Sequence, residues 1–126
     1  MNTAEYWIGQ LNLTPHPEGG FYRETYRARE VIPPTALPTR YAAARSFGTA
    51  IYFLLRSGDR SVFHRLKSDE IWHFYEGSTI CLYLLDHDGL RTIRMGRALH
   101  VNESLQAVIP AGTWFAAEVE SANSFG

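Results

Sequence analysis

The sequence predicts an all-β domain, a sandwich or barrel, opened by one short helix. Three observations predict it. Strand-like runs follow one another at about 47–56, 61–67, 70–76, 79–86, 90–96, 105–109 and 113–120. Most are separated by Ser57-Gly58-Asp59, Glu76-Gly77-Ser78, Asp86-His87-Asp88-Gly89 and Pro110-Ala111-Gly112, which supply the Gly, Asp and Pro that tight turns require. The 126 residues suffice for one hydrophobic core and not for two. Residues 1–126 therefore read as a single domain, with any site inside it or between copies. Many short strands joined by tight turns manage their edges by closure or by double-sheet packing.

The elements follow in chain order. Asn2 followed by Glu5 reads as a capping box, and Ala4, Trp7, Ile8 and Leu11 recur at helical spacing, predicting a helix over about 3–12. Pro15, Pro17 and the pair Gly19-Gly20 stop it. A strand from Phe21 to Ala28 places Tyr22, Glu24 and Tyr26 on one face and Phe21, Arg23, Thr25 and Arg27 on the other. Residues 29–45, with Pro33, Pro34 and Pro38 and no clear period, read as a long loop or a partly mobile arm. The barrel then occupies about 21–126. The last strand ends near Glu120, and Ser121 to Gly126 carries no closing strand signal, so closing C-terminal strands are expected to be absent or supplied by another subunit.

Composition excludes several function classes. Twelve Lys and Arg stand against thirteen Asp and Glu, a net charge of −1, so no overall field favours nucleic acid or an anionic membrane. The uncharged run Ser104 to Ala117 is too short for a membrane helix and is broken by Pro110 and Gly112. Glu5, Gln10 and Asn12 interrupt any apolar signal-peptide core, which predicts a cytoplasmic protein. The single cysteine, Cys81, cannot form an internal disulfide and lies in an apolar run, as a buried structural thiol does.

The chemistry concentrates between Gly58 and Gly77. Alternation puts Val62, His64 and Leu66 on one strand face, and Glu70, Trp72 and Phe74 on one face of the next. A hairpin around Lys67 to Asp69 would bring His64 and Glu70 together in the interior. An imidazole and a carboxylate placed there can hold a metal or act as a base and its partner. On the same alternation Arg65 and Lys67 lie on the surface, and His73 turns away from Glu70. In the N-terminal segment the glycines permit close backbone approach, and Tyr22 and Arg23 suit an anionic or hydroxylated ligand. Tyr52, Trp72, Phe74 and Phe115 are candidate pocket aromatics.

Gly58, His64, Glu70 and Gly77 fall at the spacings of the first cupin motif, with Leu66 in place of its second His. Ser104 to Val119 resembles the second motif: Pro110 and Gly112 are in place, while Phe115 stands for the final metal His, Ser104 for the leading Gly and Val119 for the closing Asn. With His16 to Arg27, Ile51 to Leu55 and Phe63 to Tyr75, the chain resembles the Cupin_5 (DUF985) group of RmlC-like cupins over nearly its whole length. The resemblance implies a cupin double-stranded β-helix (jelly-roll) barrel. It also implies a small-molecule pocket; RmlC-like sugar epimerases, as a class, use a histidine base inside such a barrel without metal, and His64 resembles that histidine by its place in the motif.

The resulting expectation is a dimeric cupin that binds a small polar or sugar-like molecule, without a cofactor. Its catalytic residues are His64 and Glu70, no metal is expected, and Tyr22, Arg23, Tyr52, Trp72, Phe74 and Phe115 bind the ligand. A metal-independent isomerase or epimerase with His64 as base stands beside two rivals, a non-enzymatic ligand-binding module and a metal-dependent cupin enzyme. Two ligands at His64 and Glu70 fall short of the roughly three that a catalytic transition metal takes.

Overall fold

Thr3 has extended backbone, and its hydroxyl accepts the Tyr6 N–H at 3.2 Å. The cap is thus Thr3 rather than Asn2, and helix α1 spans Ala4–Gln10. The computed structural model describes residues 2–126. Trp7, Ile8 and Leu11 of the helical segment pack with Ala4, Leu13, Leu54, Phe21 and Phe125 in a small apolar cluster. The helix thereby covers one end of a three-stranded antiparallel sheet, built from β1 (Thr14–Pro15), β2 (Phe21–Arg27) and β5 (Thr49–Leu54).

A bulge between Glu24 and Tyr26 breaks the alternation read from the sequence. Tyr26 pairs with Ala50 and Arg23 with Tyr52, so Tyr26 shares the outer face with Arg23 instead of the inner face with Tyr22. Residues 29–45 are not a featureless loop. They contain β3 (Val31–Ile32), paired to β4 (Arg45–Ser46), and a 3₁₀ turn at Pro34–Ala36.

A second sheet holds β6 (Arg60–His64), β11 (Trp114–Val119), β8 (Ile80–Asp86) and β9 (Gly89–Met95) in the order β6-β11-β8-β9, and β7 (Glu70–His73) pairs with β10 (Gln106–Ile109). All seven strand-like runs after residue 46 are strands, with ends shifted by a few residues. The hairpin expected between β6 and β7 is absent, because β6 pairs with β11 and β7 with β10. Lys67 to Asp69 are a crossing between ladders.

The main core lies among these strands and includes Leu55, Leu82, Leu84, Met95, Ile109 and Phe115, all nearly inaccessible. Each such side chain contributes about 1.5–3 kcal/mol of hydrophobic stabilisation. Cys81 is buried and unpaired, as its apolar context predicts. Ser124 to Gly126 are tied to the sheet through Gly126 N–H to Leu55 O, Leu55 N–H to Gly126 O and Ser57 N–H to Ser124 O. This segment borders β5 where the sequence shows no strand signal, because backbone pairing needs no particular side chains. The strands, their order and the two facing layers fit a cupin jelly-roll. No helix among the described residues is long and apolar enough to cross a membrane.

Candidate functional site

The turn joining β1 to β2 is forced against the edge of β6. Gly19 has φ +108°, and a Cβ there would lie 1.9 Å from Arg60 O; Val62 N–H donates to Glu18 O at 3.0 Å. Only glycine accepts both the backbone conformation and the contact. The turn therefore carries His16 and Glu18 to the end of β6, where His64 sits, while β7 begins at Glu70 on the other side of the crossing. The result is a cavity of about 400 Å³ lined by His16, Pro17, Glu18, Tyr22, His64, Arg65, Leu66 and Glu70. His64 and Glu70 reach it from two separately paired strands.

Backbone hydrogen bonds set opposite tautomers on the two imidazoles. His64 Nδ1 lies 2.7 Å from Val62 O, which can only accept, so the Nδ1 carries the proton and Nε2 of the neutral ring has the lone pair. In His16 the Nδ1 accepts the Glu18 N–H at 2.9 Å, which leaves the proton of the neutral ring on Nε2. Burial lowers the His16 pKa below the usual histidine value, against the pull of the Glu18 carboxylate; His64 lowers it further and Glu70 raises it. One histidine thus offers a basic nitrogen and the other an N–H donor.

Aromatic rings form the wall behind these groups. Phe115, 1% exposed, lies against the His64 ring with centroids 4.3 Å apart. The indole N–H of Trp72 donates to Glu70 Oε1 at 2.5 Å and fixes that carboxylate. Phe53 meets the edges of both His16 and Trp72, at 5.6 Å each.

The sequence-predicted residues separate into three groups. His64, Glu70 and Tyr22 line one cavity, and Trp72 and Phe115 support it from behind. Arg23 and Tyr52 are register partners on the outer face of β2 and β5, turned away from the cavity by strand alternation. Phe74 is outside the lining; it packs against the core and under the Arg97 guanidinium. Arg65 is exposed, as expected, and also contributes to the rim of the lining, because β6 ends at His64 and its alternation does not extend further. His16 and Glu18 are the site residues that sequence reasoning missed. Their signal was the Pro-rich stretch before Gly19-Gly20, which marks a turn held at close range to another backbone.

The residues present do not fit the cupin metal. Leu66 presents an apolar side chain, and Phe115 fills its position with a ring packed on His64. Among the described residues, the group of three or more His, Cys, Asp or Glu side chains with ligand atoms within 4.8 Å of one another is Asp86, His87 and Asp88, at the β8–β9 turn. The imidazoles and carboxylates of the cavity share one space without converging on a point.

Known proteins resemble the chain in fold and sequence. A hypothetical protein from Leishmania major superposes with TM-score 0.85 at 32% identity, covering 98% of this chain and 77% of its own. A crystal structure of a Shewanella oneidensis protein superposes with TM-score 0.87 at 35% identity, covering 100% of this chain and 74% of its own. No curated protein sequence matches. The family model described as "Cupin superfamily (DUF985)" matches residues 5–126. With that match over nearly its full length, on a fold whose sheets fit the cupin jelly-roll, the chain belongs to the Cupin_5 family.

Proposed function

We propose that the cavity binds a small polar, sugar-like molecule and catalyses metal-independent proton transfer next to a carbonyl, as an isomerase or epimerase does. The observation that carries this reading is the opposed tautomer pair in one cavity: His64 with a free basic Nε2 and His16 with Nε2–H. In the proposed step His64 Nε2 takes the proton from the carbon beside the carbonyl, and the bonding pair moves onto the carbonyl oxygen. His16 Nε2–H hydrogen-bonds that oxygen as its charge develops. For isomerisation His64 returns the proton to the former carbonyl carbon while the proton of the substrate's adjacent hydroxyl passes to the former carbonyl oxygen; for epimerisation solvent water protonates the original carbon on its opposite face and His64 gives its proton to solvent. Glu70, held by Trp72, lines the same cavity as the candidate acid. The aromatic wall lowers the local dielectric and strengthens these interactions.

The test is solvent-deuterium incorporation into keto-sugars followed by NMR. His64→Ala is expected to abolish it, and His16→Gln to slow it by about 10²–10³, the usual loss of one oxyanion donor. Exchange that persists unchanged in His64→Ala would sink the catalytic reading and leave a binding pocket. The same reading includes a cytoplasmic homodimer. The exposed register partners Ile71 and Val108, on the outer face of β7 and β10, support a self-association surface. A monomer in sedimentation velocity rejects the dimer.

A further inference from the structure

Residues Arg40 to Arg45 lie across the crossing between β6 and β7. Arg40 Nε donates to Lys67 O at 2.8 Å, and the Tyr41 hydroxyl donates to the same oxygen at 2.7 Å while lying 2.6 Å from Ser68 Oγ. Leu66 and Glu70, on either side of that crossing, both line the cavity, so the segment is fastened at its border.

The cations gathered there form no ion pair among the described residues, although the carboxylates of Asp69 and Glu70 lie along the same crossing. The guanidinium carbons of Arg40 and Arg45 stand 4.8 and 5.1 Å from the centre of the Tyr41 ring. That keeps them within about one Debye length of each other, roughly 10 Å at 0.1 M salt. Arg65 of the cavity lining stacks on Trp114, and Lys67 follows two residues later. Among the described residues none of these four cations has a carboxylate within 4.0 Å, although Arg27, Arg56, Arg60, Arg94 and Arg97 all do. The adjacent acids are engaged elsewhere: Asp69 Oδ1 accepts the Ala111 N–H and Glu70 Oε1 the Trp72 indole. Arg40 and Arg45, held around one ring without an ion pair, repel one another, and an anion bound between them relieves that repulsion.

We propose that Arg40, Arg45, Arg65 and Lys67 form a binding site at the cavity border for the phosphoryl group of a small ligand. A phosphoryl dianion, with three terminal oxygens, satisfies several cations at once where a carboxylate satisfies fewer. The inference deepens the reading of the cavity as a small-molecule site, since it gives the ligand an anionic end beside a polar end. It does not require that the cavity be catalytic.

The experiment is calorimetric titration of the whole chain with inorganic phosphate, with acetate at equal ionic strength as the carboxylate arm. Saturable phosphate binding is expected, stronger than acetate and weakened about tenfold or more by Arg45→Gln, the loss of one charge-assisted contact. Arg45 makes no side-chain hydrogen bond that the fold uses, and Arg65→Gln serves as the second variant should Arg45→Gln unfold. Arg91→Gln, on β9, is expected to bind as the wild type does. Absence of saturable phosphate binding overturns the proposal, as does binding unchanged in both Arg45→Gln and Arg65→Gln, or binding in which acetate exceeds phosphate. His64→Ala separates this inference from the catalytic one: phosphate binding retained while proton exchange is lost supports both. Binding retained in a wild-type protein that exchanges no protons upholds this inference alone.

Discussion

His64 and Phe115 are register partners across the β6–β11 ladder, and their rings pack at 4.3 Å between centroids with planes tilted by 49°. The position that the second cupin motif reserves for a metal-binding histidine thus supports the remaining histidine through its face. The replacement of a ligand position and the packing support of His64 are one substitution in physical terms. The ring also makes an edge contact with Trp72, which holds Glu70.

Phe115→Ala is expected to destabilise the fold by about 3–5 kcal/mol, the usual range for emptying a fully buried phenylalanine site. Phe115→Leu should cost less, because it leaves a smaller void. Urea denaturation with a common slope measures both. In the Leu variant, which keeps most of the packing, slower proton exchange would report the loss of the flat surface under His64.

Replacing Leu66 and Phe115 together by histidine restores the residues that the cupin motif carries at those positions. The double variant is expected to gain binding of Co²⁺ or Ni²⁺, visible as ligand-field absorption that the unaltered chain lacks. Burying a polar ring at Phe115 should also lower its stability without metal. No new absorption in a folded double variant would show that these two positions do not define the departure from the motif.

Gly19→Ala is expected to cost at least about 2 kcal/mol, since φ +108° is strained for alanine and Arg60 O occupies the Cβ position at 1.9 Å. His16 should move with the turn, so proton exchange should fall more than in other variants of equal stability. Gly48→Ala, where a Cβ meets nothing within 4 Å, provides the control and should change stability little. Equal effects of the two substitutions in denaturant titration would remove the argument for a turn held by close approach.

Stability should depend on pH in two windows. His16 has a lowered folded pKa, so protonation favours the unfolded chain, and stability is lost as pH falls below the ordinary histidine value of 6.5. Glu103 is lowered by the Thr79 hydroxyl first and then by the Ala98 N–H, so its contribution is present above 4.5 and is lost as pH falls further. Thermal melts across this range should show both steps. His16→Gln should flatten the upper one and leave the lower, whereas Glu103→Gln should do the reverse.

Much of the barrel was legible because strand alternation and turn chemistry are local. Gly58, Gly77, Gly89 and Gly112 all take positive φ at or beside turns marked in the sequence. The site was legible in part. Motif spacing identified His64 and Glu70, but the hairpin thought to join them does not exist, and they share a cavity because two ladders face each other. Arg23 and Tyr52 were selected by chemistry, yet chemistry does not reveal which face of a strand turns inward. The bulge at Glu24 to Tyr26 shows the same limit, since one extra residue reverses every later assignment.

The sequence by itself determined the all-β class, the strand series, the family resemblance and the half-replaced metal set at Leu66 and Phe115. Those properties reside in residue type and spacing along the chain. Only the tertiary structure decided that His16 and Glu18 join His64, that the two imidazoles present opposite tautomers, and that Arg40 is fastened to the crossing between β6 and β7 with Arg45 across the Tyr41 ring. Each of these depends on a contact between segments distant in the chain. Such contacts are fixed by backbone close approach and by burial, which leave no periodic trace in the sequence.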